Sequence, residues 1–407
     1  MESINEAINE YSINLLKELS SSNSEKNVFC SPLSTSVCIS LLLLGAKENT
    51  ASQMEKLLNY SELKNAKSKL TGLRTATDYS QHHEQRPQKQ QASLCNQVAP
   101  VHSELQSLLS KLMSQSSGTQ LNIANGVYTQ KMFPFLFEYL VCAKQLYDAE
   151  LESVDFKKDE TRKKINSWVE NQTQGKITDL FPENSIEPDT SLILVNAIYF
   201  KGKWSKQFKE EDTNEAPFYV TEKNFKPVQM MTQKEDFKIG IIENLNAKVI
   251  ELPYGKGDMS LFILLPDEIS GLKKVEQQLS SKSLASWTSS ENMMKTKVEL
   301  HLPRFKLEES YDLGTNLQNM GMVDAFSRQK ANLSGISEVG LYVSKVVHKA
   351  FLEINEEGTE AAAATGITIV PKKLTIPEIF KVNHPFLFFI LHNESKTIIF
   401  MGKYISP

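Results

Sequence analysis

The residue types that carry catalysis are present in this chain, but their spacing does not match the common catalytic motifs. Ser337 lies in GISEVG (residues 335–340), which has one residue too many before the second glycine to form a nucleophile elbow. GKGD (residues 255–258) is neither a Walker A loop nor a dinucleotide fingerprint, and it is typical of a hairpin turn. We therefore expect that the protein is not an enzyme.

Candidate metal ligands are equally sparse. His82, His83 and Glu84 are adjacent and could contact a metal ion, but such a pair in a glutamine-rich segment is usually only solvated. His348 lies in the strand-like stretch VSKVVHKAFLEI, where a buried histidine satisfied by hydrogen bonds is the favoured interpretation. We predict neither a metal site nor a cofactor.

The composition gives no indication of a charged partner or of export. A net charge of -4, from 45 basic and 49 acidic residues, provides no broad field that would attract nucleic acid or an anionic membrane. The first 20 residues lack the basic start and unbroken apolar stretch of a signal peptide, and the apolar run at residues 39–44 is too short to span a bilayer. We expect a cytoplasmic protein, and leaderless secretion stays open as an alternative.

The cysteines support the same compartment. They are few in a chain of 407 residues and show no CxxC or Cys/His ligand spacing: Cys30, Cys38, Cys95 and Cys142. Such usage does not suggest a disulfide framework and favours a reducing environment.

The apolar pattern predicts helices early in the chain and strands later. Helical periodicity marks residues 1–60, 101–113 and 159–172. Residues 191–204 begin as a continuous apolar run, which is typical of a strand covered on both faces, and further strand patterns follow. Residues 61–100 lack a sustained apolar period and indicate a long polar loop. Because no repeat or linker divides the chain, we predict one α+β domain over residues 1–407.

One segment near the C-terminus fits neither a helix nor a strand alone. EEGTEAAAATGITIVPKK (residues 356–373) contains four consecutive alanines, which have high helix propensity. It also contains Gly358, Gly366 and a β-branched run at residues 367–370, which favour turns and extended structure. We expect this segment to tolerate more than one conformation.

This segment and its flanks closely resemble the reactive-centre loop of the serpins. EEGTEAAAATG is preceded by VVHKAFLEIN and followed by VNHPFLFFI. Five other segments match serpin segments in the expected order: NVFCSPLSTSVCISLLLLGA, LVNAIYFKGKW, ELPY, HLPRFKLEESYDL and GKYISP. The lack of a signal peptide, the Ser-Pro ending and the long polar loop resemble the ovalbumin-type (clade B) intracellular branch. Within that branch, ENMM, HLPRFKLE and the position of the loop lysine are most similar to epipin-like members.

The resemblance implies a serpin fold with three β-sheets, about nine helices and an exposed reactive-centre loop over residues 356–377. It also implies a hinge, formed by Glu356, Glu357, Gly358, Thr359, Glu360, Ala361, Ala362, Ala363, Ala364 and Thr365. After cleavage, the chain beyond Gly358 would enter the large sheet as a new strand. Four small residues would then point inward on a period of two: Thr359, Ala361, Ala363 and Thr365.

By register from the hinge, the resemblance places the reactive bond between Lys372 and Lys373. A lysine before the cut fits a deep pocket with an aspartate at its base, so a trypsin-like serine protease is the expected covalent partner, with a cysteine protease as the alternative. Lys373 departs from the commoner small residue at that position and puts the rate and the target in question. A cut between Lys373 and Leu374, or a lysine pair that is simply a solvated loop apex, stays open.

Other residues match serpin motifs around the large sheet. Four of them resemble the shutter cluster, whose hydrogen bonds would hold the sheet closed: Ser31, Ser34, Asn196 and His348. Trp204 resembles the tryptophan of the breach, at the top of the gap. Arg304 stands where the family often has lysine, and we expect it to pair with Glu356.

Two functions follow from the resemblance. The first is a serine protease inhibitor of the suicide-substrate type, and a hinge without a bulky or charged inward residue favours it. The second is a non-inhibitory serpin that is cleaved as a substrate and acts as a binding or interaction protein. We expect a monomer without a membrane or nucleic-acid partner, and glutamine crosslinking stays a minor alternative for residues 61–100.

Overall fold

The computed structural model describes residues 3–61, 63, 95, 98–114, 118–359 and 376–407. Nine α-helices lie within these ranges: α1 Ile4–Ser22, α2 Pro32–Leu43, α3 Glu48–Leu57, α4 Pro100–Met113, α5 Phe137–Tyr147, α6 Asp159–Gln172, α7 Leu272–Gln278, α8 Ser281–Trp287 and α9 Gly314–Asn319. The strands are β1 Val28–Cys30, β2 Thr119–Gln130, β3 Glu150–Val154, β4 Leu192–Lys203, β5 Thr213–Thr221, β6 Asn224–Ile242, β7 Ala247–Tyr254, β8 Met259–Pro266, β9 Met294–Pro303, β10 Phe305–Asp312, β11 Val343–Ile354, β12 Gly358–Thr359, β13 Glu378–Lys381, β14 Phe386–His392 and β15 Thr397–Tyr404.

The first two helices form where capping residues and apolar residues agree. At the start of α1, the Ser3 N–H donates to Glu6 Oε2 at 2.7 Å and the Glu6 N–H donates to the Ser3 hydroxyl at 3.3 Å, which is a capping box. α2 begins with Pro32 after the N-cap residue Ser31, and every residue of α2 is buried. Both helices pack against β15, so the N-terminal helices and the C-terminal strand share one core.

The smaller of two hydrogen-bonded networks of strands, called here the central sheet, has the order β10-β11-β4-β2-β3, with β12 beside the end of β4. β11 pairs directly with β4 in parallel, from Val343 opposite Leu192 to Phe351 opposite Tyr199. β2 pairs antiparallel with the other edge of β4. Because β4 and β11 are hydrogen-bonded to each other along this stretch, a further strand can enter between them only if they separate.

Different cores cover the two faces of the central sheet. Ile198 and Phe200 of β4 belong to the main core. The alternate residues Ala197 and Tyr199 belong to a second, smaller core with Ile165 of α6. A strand that is buried on both faces explains the continuous apolar run predicted there as a strand.

The larger network has the order β1-β15-β14-β8-β7-β6-β9-β13, with β5 beside β6. β6 is 19 residues long, and it pairs with β5 along its first part, with β9 along its middle and with β7 at its end. It therefore joins two groups of strands into one network. The described residues thus form two networks of strands, where three sheets were predicted.

One disulfide departs from the expectation for the cysteines. Cys95 is joined to Cys142 of α5, and the Cα atoms of the two residues are 5.4 Å apart. The pair is separated by 47 positions in the sequence, so no local spacing reveals it. Cys30 and Cys38 are free and buried, and burial raises the pKa of each thiol to about 12, which makes both unreactive.

Among the residues that the structure describes, no helix combines the length and the hydropathy that a membrane crossing needs. Within the same ranges, no three or more His, Cys, Asp or Glu side chains converge into a possible metal site. The pair His82 and His83 lies outside the described residues.

Candidate functional site

The hinge begins with a tight turn at the end of β11. The Asn355 N–H donates to the Gly358 carbonyl at 2.9 Å, and the Asn355 side-chain oxygen accepts the N–H groups of Glu357 at 3.1 Å and of Gly358 at 3.2 Å. Gly358 has a φ of +131°, and a Cβ atom there would lie 2.1 Å from the Gly202 carbonyl oxygen. Glycine is therefore required at this position, both for the backbone conformation and for the close approach to β4.

Trp204 anchors this turn from the end of β4. Its indole Nε1–H donates to the Asn355 carbonyl at 2.9 Å, and its backbone N–H donates to the Glu357 carbonyl at 2.8 Å. The indole ring stacks on Tyr254 with 4.4 Å between ring centroids. The predicted breach tryptophan thus contacts the base of the hinge directly.

Glu356 points into the structure rather than toward solvent. Its side chain is 9% exposed, and its Oε1 accepts the Thr213 hydroxyl at 2.8 Å. Its Oε2 lies 3.8 Å from Arg304 Nη1, and the Arg304 side chain is half exposed. The structure brings the expected pair together at a long distance, where an ion pair contributes little, and Thr213 is a closer partner that the sequence did not reveal.

The third and fourth hinge residues already form a strand. Gly358 pairs with Lys203 and Thr359 with Gly202, both antiparallel, on the edge of β4 that faces β11. Direct pairing of β4 with β11 ends at Phe351 opposite Tyr199, just below this point. The predicted loop at residues 356–377 therefore includes a short strand near its start, next to the point where the direct pairing of β4 with β11 ends.

The predicted shutter residues meet below the hinge, on the main-core side of the central sheet. His348 of β11 lies opposite Asn196 of β4, with 2.6 Å between His348 Nδ1 and Asn196 Oδ1. His348 Nε2 accepts the Ser31 N–H at 3.1 Å, so the ring proton is on Nδ1 and is donated to Asn196. Burial lowers the pKa of His348 to about 3, and the imidazole is therefore neutral.

The rest of the cluster ties this pair to the core. Asn196 Nδ2 donates to Asn125 Oδ1 of β2 at 2.8 Å and to the Ser34 carbonyl at 3.1 Å. The Ser31 hydroxyl donates to the Ile399 carbonyl at 2.6 Å and accepts the Ser34 N–H at 3.2 Å. Three strands of the central sheet, α2 and β15 are thus joined by one buried hydrogen-bond network. Sequence reasoning missed Asn125, because β2 has no clean apolar pattern and its pairing with β4 places this side chain.

Several predicted site residues lie outside the described residues. They are the rest of the hinge and both residues of the predicted reactive bond, namely Glu360, Ala361, Ala362, Ala363, Ala364, Thr365, Lys372 and Lys373.

A turn that requires glycine, an anchoring tryptophan and a short strand beside β4 agree with what comparisons with known proteins find. The family model described as "Serpin (serine protease inhibitor)" matches residues 6–407. The chain belongs to the serpin family. It is similar to human Serpin B4, with 44% identity over 413 residues, and to human Serpin B11, with 42% identity over 410 residues, and each match covers 100% of both chains.

Solved structures agree with this assignment. Uncleaved ovalbumin matches the fold with a TM-score of 0.84 at 35% identity, and the match covers 100% of both chains. The predicted α+β serpin fold and the ovalbumin-type branch are therefore confirmed. The finer similarity of this serpin to epipin-like members stays a prediction.

Proposed function

We propose that this serpin is a suicide-substrate inhibitor of a trypsin-like serine protease. The protease cuts after Lys372, and the freed loop enters the central sheet between β4 and β11. The observation that carries the proposal is β12, because Gly358 and Thr359 already occupy the edge of β4 that an inserted strand would follow. Clade B serpins are mostly protease inhibitors, but ovalbumin is not, so family membership alone does not decide the function.

The register of β12 indicates how the rest of the hinge would fit. Each step along an antiparallel pair moves both strands by one residue, so Ala361 would lie opposite Phe200, Ala363 opposite Ile198, and Thr365 opposite Asn196. The three β4 residues lie on the main-core side of the sheet. Residues directly opposite each other share a face, so the small hinge residues would be the ones buried against this core. This agrees with the inward set expected from the sequence.

Insertion of the loop would replace one pair of hydrogen-bonded strands with two pairs. The parallel pairing between β4 and β11 would be lost, and antiparallel pairing of the loop with each of them would replace it. A net gain of about ten ladder hydrogen bonds, at roughly 1 kcal/mol each, would contribute on the order of 10 kcal/mol. A free energy of this size is comparable with the stability of a whole domain and is sufficient to distort an attached protease.

The first experiment mixes the protein with trypsin and separates the products on a denaturing gel. A complex that survives boiling supports inhibition through an acyl-enzyme. Two glutamine variants locate the bond: Lys372→Gln abolishes the complex if the cut follows Lys372, whereas Lys373→Gln abolishes it if the cut precedes Leu374. A parallel reaction with a papain-type cysteine protease tests the alternative partner class.

The second experiment tests insertion separately from recognition. Ala361→Arg places a charge opposite Phe200 in the main core, so loop entry stalls and the protein becomes a substrate that is cleaved without forming a complex. Glu360→Arg is the matched control, because it introduces the same side chain one position earlier, where the sequence already has a long charged residue that would point to the other face of the inserted strand. Complex formation by both variants, or by neither, would count against insertion in this register.

The alternative is a non-inhibitory serpin that binds a partner without trapping a protease. The ovalbumin of Dromaius novaehollandiae, a relative with 41% identity, is a non-inhibitory member of the family. Cleavage within the loop by trypsin without any stable complex would favour this alternative. We also propose that residues 1–407 form one domain, and that the protein acts as a monomer in the cytoplasm, with secretion as the alternative.

A further inference from the structure

A cavity of about 570 Å³ opens between α1, α7 and the end of β15, away from the hinge and the shutter cluster. Its wall is largely apolar, with Leu16 from α1, Leu272 from α7, and Leu279, Pro385 and Ile405 from the segments around them. Cavities of roughly 300–1,000 Å³ with a mostly apolar wall and a few polar groups are typical of small-molecule sites. The polar groups in this wall indicate which class of molecule would fit.

Lys403 is the central polar group of the cavity. Its side chain is only 1% exposed, although it carries an ammonium group with three donors. Its Nζ lies 3.3 Å from Glu276 Oε1 and 3.5 Å from the Ser24 carbonyl oxygen. Both distances exceed the roughly 2.7–2.9 Å of a strong charge-assisted hydrogen bond. A buried cation with two long contacts retains the capacity to bind a closer anionic acceptor.

Two further atoms in the same wall are buried and lack a hydrogen bond. They are the Ser20 hydroxyl oxygen on α1 and Glu276 Oε1 on α7, whose contact with Lys403 does not meet hydrogen-bond geometry. Buried polar atoms nearly always have a hydrogen bond in folded proteins, so two atoms without one in the same wall require an explanation. The Ser20 hydroxyl can donate to a bound acceptor, whereas Glu276 Oε1 competes with such an acceptor for Lys403.

The charge of the wall selects the sign of the ligand. Lys17, Lys273 and Lys403 line the cavity, and Glu276 is the one carboxylate among its lining residues. We propose that this cavity binds a small amphipathic organic anion, with an aromatic or alkyl body against the leucines and a carboxylate or sulfonate group at Lys403. Because no residue of the hinge or shutter cluster lines the cavity, binding would not require loop insertion, and the site is independent of the proposed inhibitory function.

The test titrates the full-length protein with 8-anilinonaphthalene-1-sulfonate, a fluorescent aromatic anion, and follows the enhancement of its fluorescence. Lys403→Met is expected to weaken binding about tenfold or more, because a hydrogen-bonded charge partner is lost. Glu276→Gln is expected to tighten binding, since it removes the competing carboxylate. Lys273→Met should weaken binding, whereas Lys274→Met, one position along α7 and outside the cavity, should not.

A competition experiment distinguishes recognition of the negative charge from binding that depends only on the apolar tail. Decanoate should displace the probe, and decyltrimethylammonium, with the same tail and the opposite charge, should not. Equal displacement by both, or unchanged binding by a folded Lys403→Met variant, would overturn the proposal. If Lys403→Met does not fold, the Gln277→Trp variant tests the site instead. Gln277 is exposed and lines the cavity, so a tryptophan there should block the cavity and abolish binding of the probe. Unchanged binding by Gln277→Trp would refute the site.

Discussion

Replacement of Asn196 by alanine tests the hydrogen-bond network that holds β4 and β11 together. The variant removes the acceptor of His348 Nδ1–H and the donor to Asn125 Oδ1, and both of these residues are at most 5% exposed. An orphaned buried polar group costs about 1–3 kcal/mol, so the free energy of unfolding should fall by about 2–6 kcal/mol. For a chain of 407 residues, a loss in this range lowers the melting temperature by about 2–7 °C.

Urea unfolding followed by circular dichroism measures the loss, with a shift in the midpoint at constant slope as the expected signature. Asn122→Ala is the matched control, because this β2 amide donates to the Gln172 carbonyl at 3.2 Å near the surface and its loss should cost less than about 0.5 kcal/mol. If Asn196→Ala is no more destabilising than Asn122→Ala, the network does not stabilise the closed sheet. The reasoning about the shutter cluster would then be refuted.

Three further predictions follow from the site and from the disulfide. The pKa of His348 falls from 6.5 to about 3 on folding, so between these pH values only the unfolded state binds a proton at this residue. The free energy of unfolding should therefore rise with pH by up to about 1.4 kcal/mol per pH unit. His348→Gln should flatten this dependence in melting curves from pH 4 to 7. Gly358→Ala introduces a Cβ atom that clashes with the Gly202 carbonyl, so complex formation with trypsin should fall while the overall fold persists; full complex formation would contradict the role of β12. Cys142→Ser removes a cross-link across 47 positions and should cost up to about 4 kcal/mol of stability in non-reducing buffer, whereas wild type and variant should agree in dithiothreitol.

Sequence periodicity located the elements whose burial pattern is local. The amphipathic spacing of residues 159–172 predicted α6 at its observed bounds, Asp159–Gln172, and helices were also expected within residues 1–60. The run at residues 191–204 predicted a strand covered on both faces, and β4 is buried on both. In each case the residues themselves carry the signal, because one side or both sides of the element must be apolar.

The remaining features depend on contacts between distant parts of the chain. β2 contains Asn122, Asn125 and Gly126 and does not alternate cleanly, so it was not predicted, and its pairing with β4 determines it. Thr213 meets Glu356 only because β5 folds beside the hinge, and Cys95 meets Cys142 only because α5 packs near it. The hinge was identified by motif, but its entry into the sheet as β12 became visible only in the structure.

The central claim is that the loop can become a strand between β4 and β11, and the melting temperature before and after cleavage in the loop tests it most directly. A single cut by a protease that does not form a complex leaves all residues present and frees the loop to insert. A gain on the order of 10 kcal/mol predicts that the cleaved protein melts about 10 °C or more above the intact protein. An unchanged or lower melting temperature after complete cleavage would contradict the claim.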